Sequence, residues 1–115
     1  MSITDEQVND VVTRLSRDVE GWGLTSHLEW VRHEATNARS FVTDPTWFEE
    51  KVVEDLQQRF MDEFVDTTWP RCPRHFRHPL WYHNGNWVCE EDAVAIARLG
   101  ELPPPPSNEE PWRLR

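Results

Sequence analysis

The chain has 115 residues, 37% of them hydrophobic and 29% charged, with a formal net charge of −9 and two cysteines. That length fits one domain with a core of its own, and no apolar run reaches the roughly 18 residues that a membrane helix needs. The acidic balance excludes broad electrostatic binding to DNA or to anionic lipid, because like charges repel over the Debye length.

In chain order, the first predicted element is a helix over about residues 5–20. Thr4 is placed to cap it, Asp5 and Glu6 suit its positive end, and Val8, Val11, Val12, Leu15 and Val19 share one face. Two glycines around Trp22 break it. Ser26 is the expected cap of a second helix, whose Leu28, Val31, Ala35, Ala38 and Val42 recur at spacings of 3 and 4. Asp44 as cap and Pro45 at the first helical position start a third, with Phe48, Val52, Leu56, Phe60 and Phe64 expected along one side. Three helices on short turns suggest a small antiparallel bundle or a helical cover for a sheet. The expected organisation is one domain, built from a helical part at 1–66, a hairpin part at 67–102 and a proline-rich tail at 103–115.

The texture changes at Thr67. Residues 67–89 hold no acid and three arginines, whereas residues 1–66 hold 15 acids against 6 bases. Asn84-Gly85 favours a two-residue type I′ turn, which predicts strands at about 78–83 and 86–90 and pairs His83 with Asn86, Tyr82 with Trp87, Trp81 with Val88 and Leu80 with Cys89. Residues 93–99 read either as a short helix or as a third strand. The tail "PPPPSNEEPWRLR" reads as extended polyproline.

The segment 69–92, "WPRCPRHFRHPLWYHNGNWVCEED", gathers both cysteines, three of the five histidines and three of the seven tryptophans. The first ten residues carry neither a basic nor an apolar region of secretory type, so the expected compartment is the reducing cytoplasm. There a cysteine pair serves metal ligation or burial better than a disulfide. Cys72 and His75 form a C-x2-H pair and Cys89 returns later; thiolate with imidazole is a zinc ligand set. For the fourth ligand, alternation along the hairpin puts His78 on the face of Cys89 and turns His83 away. Asp92, in a C-x2-D pair that mirrors C-x2-H, is the alternative. With four protein ligands no position remains for water, so the expected zinc is structural.

The order "CPRH", "HPL", Asn-Gly hairpin and "WVC" resembles a zinc ribbon, and residues 69–102 are also similar to short uncharacterised actinobacterial-type proteins with a C-P-x-H-x-x-H-P-L segment. The resemblance implies a third strand over residues 93–99, and no activity. A standard ribbon carries four cysteines in two C-x2-C knuckles; this chain carries two.

Arg71, Arg74 and Arg77 lie among Trp69, Phe76 and Trp81, a basic strip with aromatics of the kind that holds single-stranded nucleic acid. Pairing of these arginines with the chain's own acids is the simpler expectation. Trp47, Trp81 and Trp87 fall at core positions, whereas Trp22 and Trp112 do not, and exposed tryptophans are enriched at protein interfaces. No nucleophile elbow, phosphate loop or catalytic zinc signature occurs, so no enzymatic activity is expected. The sequence points to an α+β protein that interacts with another protein or regulates it, stabilised by structural zinc. The alternatives are a nucleic-acid accessory protein using the arginine strip, and an acidic inhibitor that mimics a nucleic-acid backbone.

Overall fold

Three helices precede a three-stranded antiparallel sheet, in a computed structural model that describes residues 2–66, 68–75 and 77–105. The fold is α+β, as expected. Helix α1 (Asp5–Gly21) opens with a reciprocal capping box: the Thr4 hydroxyl accepts the Gln7 N–H at 3.1 Å, and the Gln7 side chain accepts the Thr4 N–H at 2.8 Å. The predicted stripe of four valines and Leu15 is its buried face.

The start of helix α2 (Leu28–Arg39) differs from expectation. Thr25–His27 form a 3-10 turn that leads straight into the helix, so Ser26 lies inside that turn and no side chain caps α2. The reversal is held by backbone bonds instead, from Leu24 N–H to the Val19 carbonyl and from His27 N–H to the Leu24 carbonyl.

Helix α3 (Pro45–Asp62) starts as predicted, with the Asp44 carboxylate accepting the Thr46 N–H at 2.9 Å. It stops earlier than its apolar stripe suggests. The Val65 N–H bonds back to the Phe60 carbonyl and the Phe64 N–H to that of Met61, which is the Schellman closure of a helix end. Phe64 takes the left-handed position, at φ 58°, where glycine is usual, and is 85% exposed, while Val65 packs on the core in its place. Trp47 also departs from expectation at 61% exposed. It sits in the first turn of α3, about 100° around the helix from Phe48, and Phe48 alone of the two is buried.

Strands β1 (Trp81–His83) and β2 (Asn86–Cys89) pair in the register that the Asn84-Gly85 turn predicts, Trp81 opposite Val88, Tyr82 opposite Trp87 and His83 opposite Asn86. Residues 94–98 are a third strand, β3 (Val94–Arg98), so the stretch that reads either way in the sequence is extended and not helical. Its pairing jumps from Val88↔Ala95 to Trp87↔Ala97, leaving Ile96 as the extra residue of a bulge. Tyr82 and Trp87 face the helices and are buried; Trp81, expected in the core, is 38% exposed on the outer face.

What fastens sheet to helices is a carboxylate in the middle of the α1 stripe. Asp18, 2% exposed, accepts the Trp87 indole N–H at 2.8 Å, the Gly100 N–H at 2.7 Å and the Leu102 N–H at 3.0 Å. Burial pushes its carboxyl above the usual range, and the three donors work against that shift. Gly100 is required there, at φ 92°, because a Cβ would stand 3.0 Å from the Cβ of Arg14. A chain of edge-to-face rings, Phe60–Trp69 at 5.3 Å and Trp69–Trp87 at 5.4 Å, completes the joint.

Replacing Asp18 with alanine leaves three donors without their acceptor and is expected to cost about 3 kcal/mol or more in urea unfolding. Gly100→Ala, which meets the Arg14 backbone, is expected to cost about 1–3 kcal/mol. Unchanged unfolding midpoints would refute the role of this joint.

Candidate metal centre

The segment 70–80 is a short loop closed at its base and pinned to α3. Leu80 N–H bonds to the Pro70 carbonyl at 2.6 Å and Cys72 N–H to the His78 carbonyl at 2.9 Å, so two short arms run antiparallel. Below them the Gln57 amide, buried in α3, donates to the carbonyls of Trp69 at 3.2 Å and Leu80 at 2.9 Å. Between the arms the chain turns twice, His75 N–H to the Cys72 carbonyl at 3.2 Å and His78 N–H to the His75 carbonyl at 3.0 Å. The turn aims backbone donors at sulfur. Arg74 N–H lies 3.4 Å from the Cys72 Sγ, and the His75 N–H adds a second such contact. These donors favour a thiolate.

Cys89 ends β2, and the four-residue turn that follows carries Asp92 back toward this loop. One donor atom each from His75, Cys89 and Asp92 lies within 4.8 Å of the others, a group that could hold a metal ion. Donors on one tetrahedral zinc, with bonds near 2.0–2.3 Å, stand about 3.5 Å apart. Cys72 lies outside that triplet, yet it lines one small cavity with Cys89 and both are buried, 1% and 2% exposed. Burial pushes the Cys72 thiol up and the neighbouring thiol adds to the rise, while the Arg74 and His75 N–H groups oppose it. A cation bound at the Cys72 sulfur would favour its thiolate and oppose that rise.

Asp92 is the best-held acid of the region. Arg74 Nε donates to its Oδ2 at 2.5 Å and His75 Nε2 lies 3.1 Å from the same oxygen. The Arg74 bond, then the His75 contact, hold its carboxyl below the usual range.

His78 is outside the triplet of His75, Cys89 and Asp92, but it lies beside both cysteines. It is exposed, its ring centroid is 6.0 Å from that of His75, and together with Cys72 and Cys89 it lines the same small cavity, of about 90 Å³. The expected alternation carries through Leu80 and Tyr82, both buried, but not back to His78, because β1 begins only at Trp81 and the chain bends at 77–78. His83, which the register sets aside, is exposed on the far side of β1.

Of the three arginines, Arg74 is engaged by Asp92 of its own half and not by the acidic helices, Arg71 is half-buried beside the loop, and Arg77 is exposed. Trp22, expected at an interface, is half-buried against the core, and its indole N–H donates to the Pro103 carbonyl at 3.0 Å. Trp112 and Phe76 lie outside the described residues. Sequence reasoning missed Gln57, Arg74 as the partner of Asp92, and Glu49. The Glu49 carboxylate accepts from Arg14 at 2.5 Å and from the Tyr82 hydroxyl, joining α1, α3 and β1.

Compared with known proteins, the chain matches no family model, no curated protein and no solved structure.

Because Cys89 is buried beside a second thiol while His83 is exposed, Cys89→Ser is expected to cost about 2 kcal/mol or more and His83→Ala about 0.5 kcal/mol or less. Urea unfolding of the two variants decides, and the reverse ranking would refute the hairpin geometry.

Proposed function

We propose that this chain is a small interaction or regulatory module whose sheet is tied to the loop before it by a structural zinc ion on Cys72, His75, Cys89 and Asp92. The grouping of the His75, Cys89 and Asp92 donor atoms within 4.8 Å of one another carries the reading. The donor chemistry fits zinc. Thiolate sulfur argues against calcium and magnesium, which take oxygen, and two sulfurs with an imidazole and a carboxylate suit a borderline-soft ion.

Charge supports Asp92 as the fourth ligand. Two thiolates and one carboxylate around a divalent cation leave one negative charge over, and the Arg74 guanidinium on Asp92 offsets it. That is the usual place for a partner that orients a ligating carboxylate. Four protein ligands leave no site for a reacting water, so the ion holds structure and does no chemistry. Gln57 holds the two ends of the loop 70–80 by their carbonyls, and zinc would hold Cys72 and His75 to the sheet.

Protein purified without chelator is expected to carry about one zinc per chain by elemental analysis, and chelation to lower the thermal midpoint by about 10 °C or more. Asp92→Ala is expected to weaken zinc at least about 100-fold, Arg74→Ala about 10-fold, and His78→Ala hardly at all. A metal-free protein of unaltered stability would overturn the proposal. A larger effect of His78→Ala than of Asp92→Ala would move the fourth ligand to His78.

A further inference from the structure

At one end of the helical bundle the chain exposes apolar surface that its own core does not use. The antiparallel order of α1, α2 and α3 brings the start of α1, the end of α2 and the start of α3 to this end, as the Arg39–Asp5 ion pair at 2.6 Å shows. The turn from α2 to α3, "FVTDPTW", displays Phe41 at 77% exposure, Trp47 at 61% and the exposed ring of Pro45. Two aromatic side chains this open, six positions apart on one turn, have no role in the fold, and tryptophan is the residue most enriched among those that dominate binding energy.

Charge decides what such a surface would accept. Trp47, Glu50 and Glu54 follow one another at helical spacing along α3. The cations nearby are already neutralised within the chain: Arg39 by Asp5, Lys51 by Asp55 at 3.0 Å, and Arg14 by Asp10 and Glu49. Among the described residues no ion pair reaches Glu50 or Glu54. Partial burial, then the charges of Glu50 and Asp55, raise the Glu54 carboxyl, and Lys51 opposes the rise. A groove of about 380 Å³, lined by Pro45, Thr46, Glu49, Glu50, Tyr82 and Asn84, among others, and not by Trp47 itself, runs between the first turns of α3 and the hairpin turn. Glu49 in that groove is occupied by Arg14 and Tyr82; Glu50 is not.

We propose that this end of the bundle is a docking surface for a basic segment of another protein, with an aliphatic or aromatic side chain on Phe41 and Trp47 and a Lys or Arg in the groove on Glu50. The proposal rests on the reading of the chain as an interaction module and gives that module its contact face. A second copy of this chain, at net charge −9, and an anionic membrane are both repelled by the same carboxylates. Complementary charge speeds and selects such an encounter while the aromatic pair holds it.

The test is selection of a random dodecapeptide library displayed on phage against the full, zinc-loaded chain, followed by titration of the synthesised winners. Enriched peptides are expected to combine Lys or Arg with an apolar anchor. They should lose about ten-fold or more in affinity for Trp47→Ser and for Glu50→Lys, and nothing for Arg74→Glu. Since Trp47 is exposed, Trp47→Ser should keep its zinc and its thermal midpoint, so lost binding reports the surface and not the fold. No enrichment, winners without basic residues, or binding indifferent to Trp47→Ser would each overturn the proposal. Binding lost on Arg74→Glu alone would overturn it too, placing the contact on the arginine loop and leaving the module reading standing. A dimer in sedimentation that dissociates on Trp47→Ser would give the surface to a second copy and overturn the proposal as well.

Discussion

One buried carboxylate sets the relation between the two halves of this protein. Asp18 sits on the apolar stripe of α1, where an unpaired charge would be costly, and it is tolerable there only because Trp87, Gly100 and Leu102 bring it three N–H donors. Trp87 belongs to the middle strand, and the other two donors follow β3. The position of the sheet on the helices, the close approach of Gly100 to Arg14 and the path of the chain toward Pro103 and Trp22 all follow from satisfying that one group.

The loop that carries Cys72 and His75 leads into β1 of the same sheet, and Cys89 shares the buried face of β2 with Trp87. Gln57 holds the loop's two ends by their carbonyls, and β2 delivers Cys89 to Cys72. The Asp18 joint thus fixes the sheet against α1, and Gln57 fixes the loop against α3. Arg74 and His75 draw Asp92 to the loop, but neither joint nor ion pair accounts for Cys89 beside that imidazole and carboxylate. The proposed zinc ion does, with Arg74 balancing the charge that the fourth ligand brings.

Much of this is legible in the residues. Asn84-Gly85 dictates the hairpin register, since a two-residue turn leaves only one pairing, and Thr4, Asp44 and Pro45 mark two helix starts by the hydrogen bonds they satisfy. Where periodicity fails as a guide, a local backbone preference wins. Phe64 continues the α3 stripe on paper, yet the helix closes on itself at Phe60 and Met61 and turns Phe64 outward. Ser26 looks like a cap, but the turn after Gly23 leads into α2 through backbone bonds. Strand alternation places His78 beside Cys89; the strand begins only three residues later and leaves His78 exposed, yet the two residues line one small cavity. Asp18 carries a signal of its own, because it falls at the i+3 position from Leu15, inside an otherwise apolar face, and a carboxylate there demands donors from elsewhere. No sequence pattern names Arg74 as the partner of Asp92, since the two meet only after the hairpin and the turn beyond Cys89 are built.

X-ray absorption at the zinc edge of the purified protein tests the central claim most directly, because it reads the ligand atoms themselves. The expected spectrum shows two sulfurs at about 2.3 Å with two nitrogen or oxygen ligands at about 2.0–2.2 Å, only one of them an imidazole. A shell without sulfur, or one with two sulfurs and two imidazoles, would contradict the site built from Cys72, His75, Cys89 and Asp92.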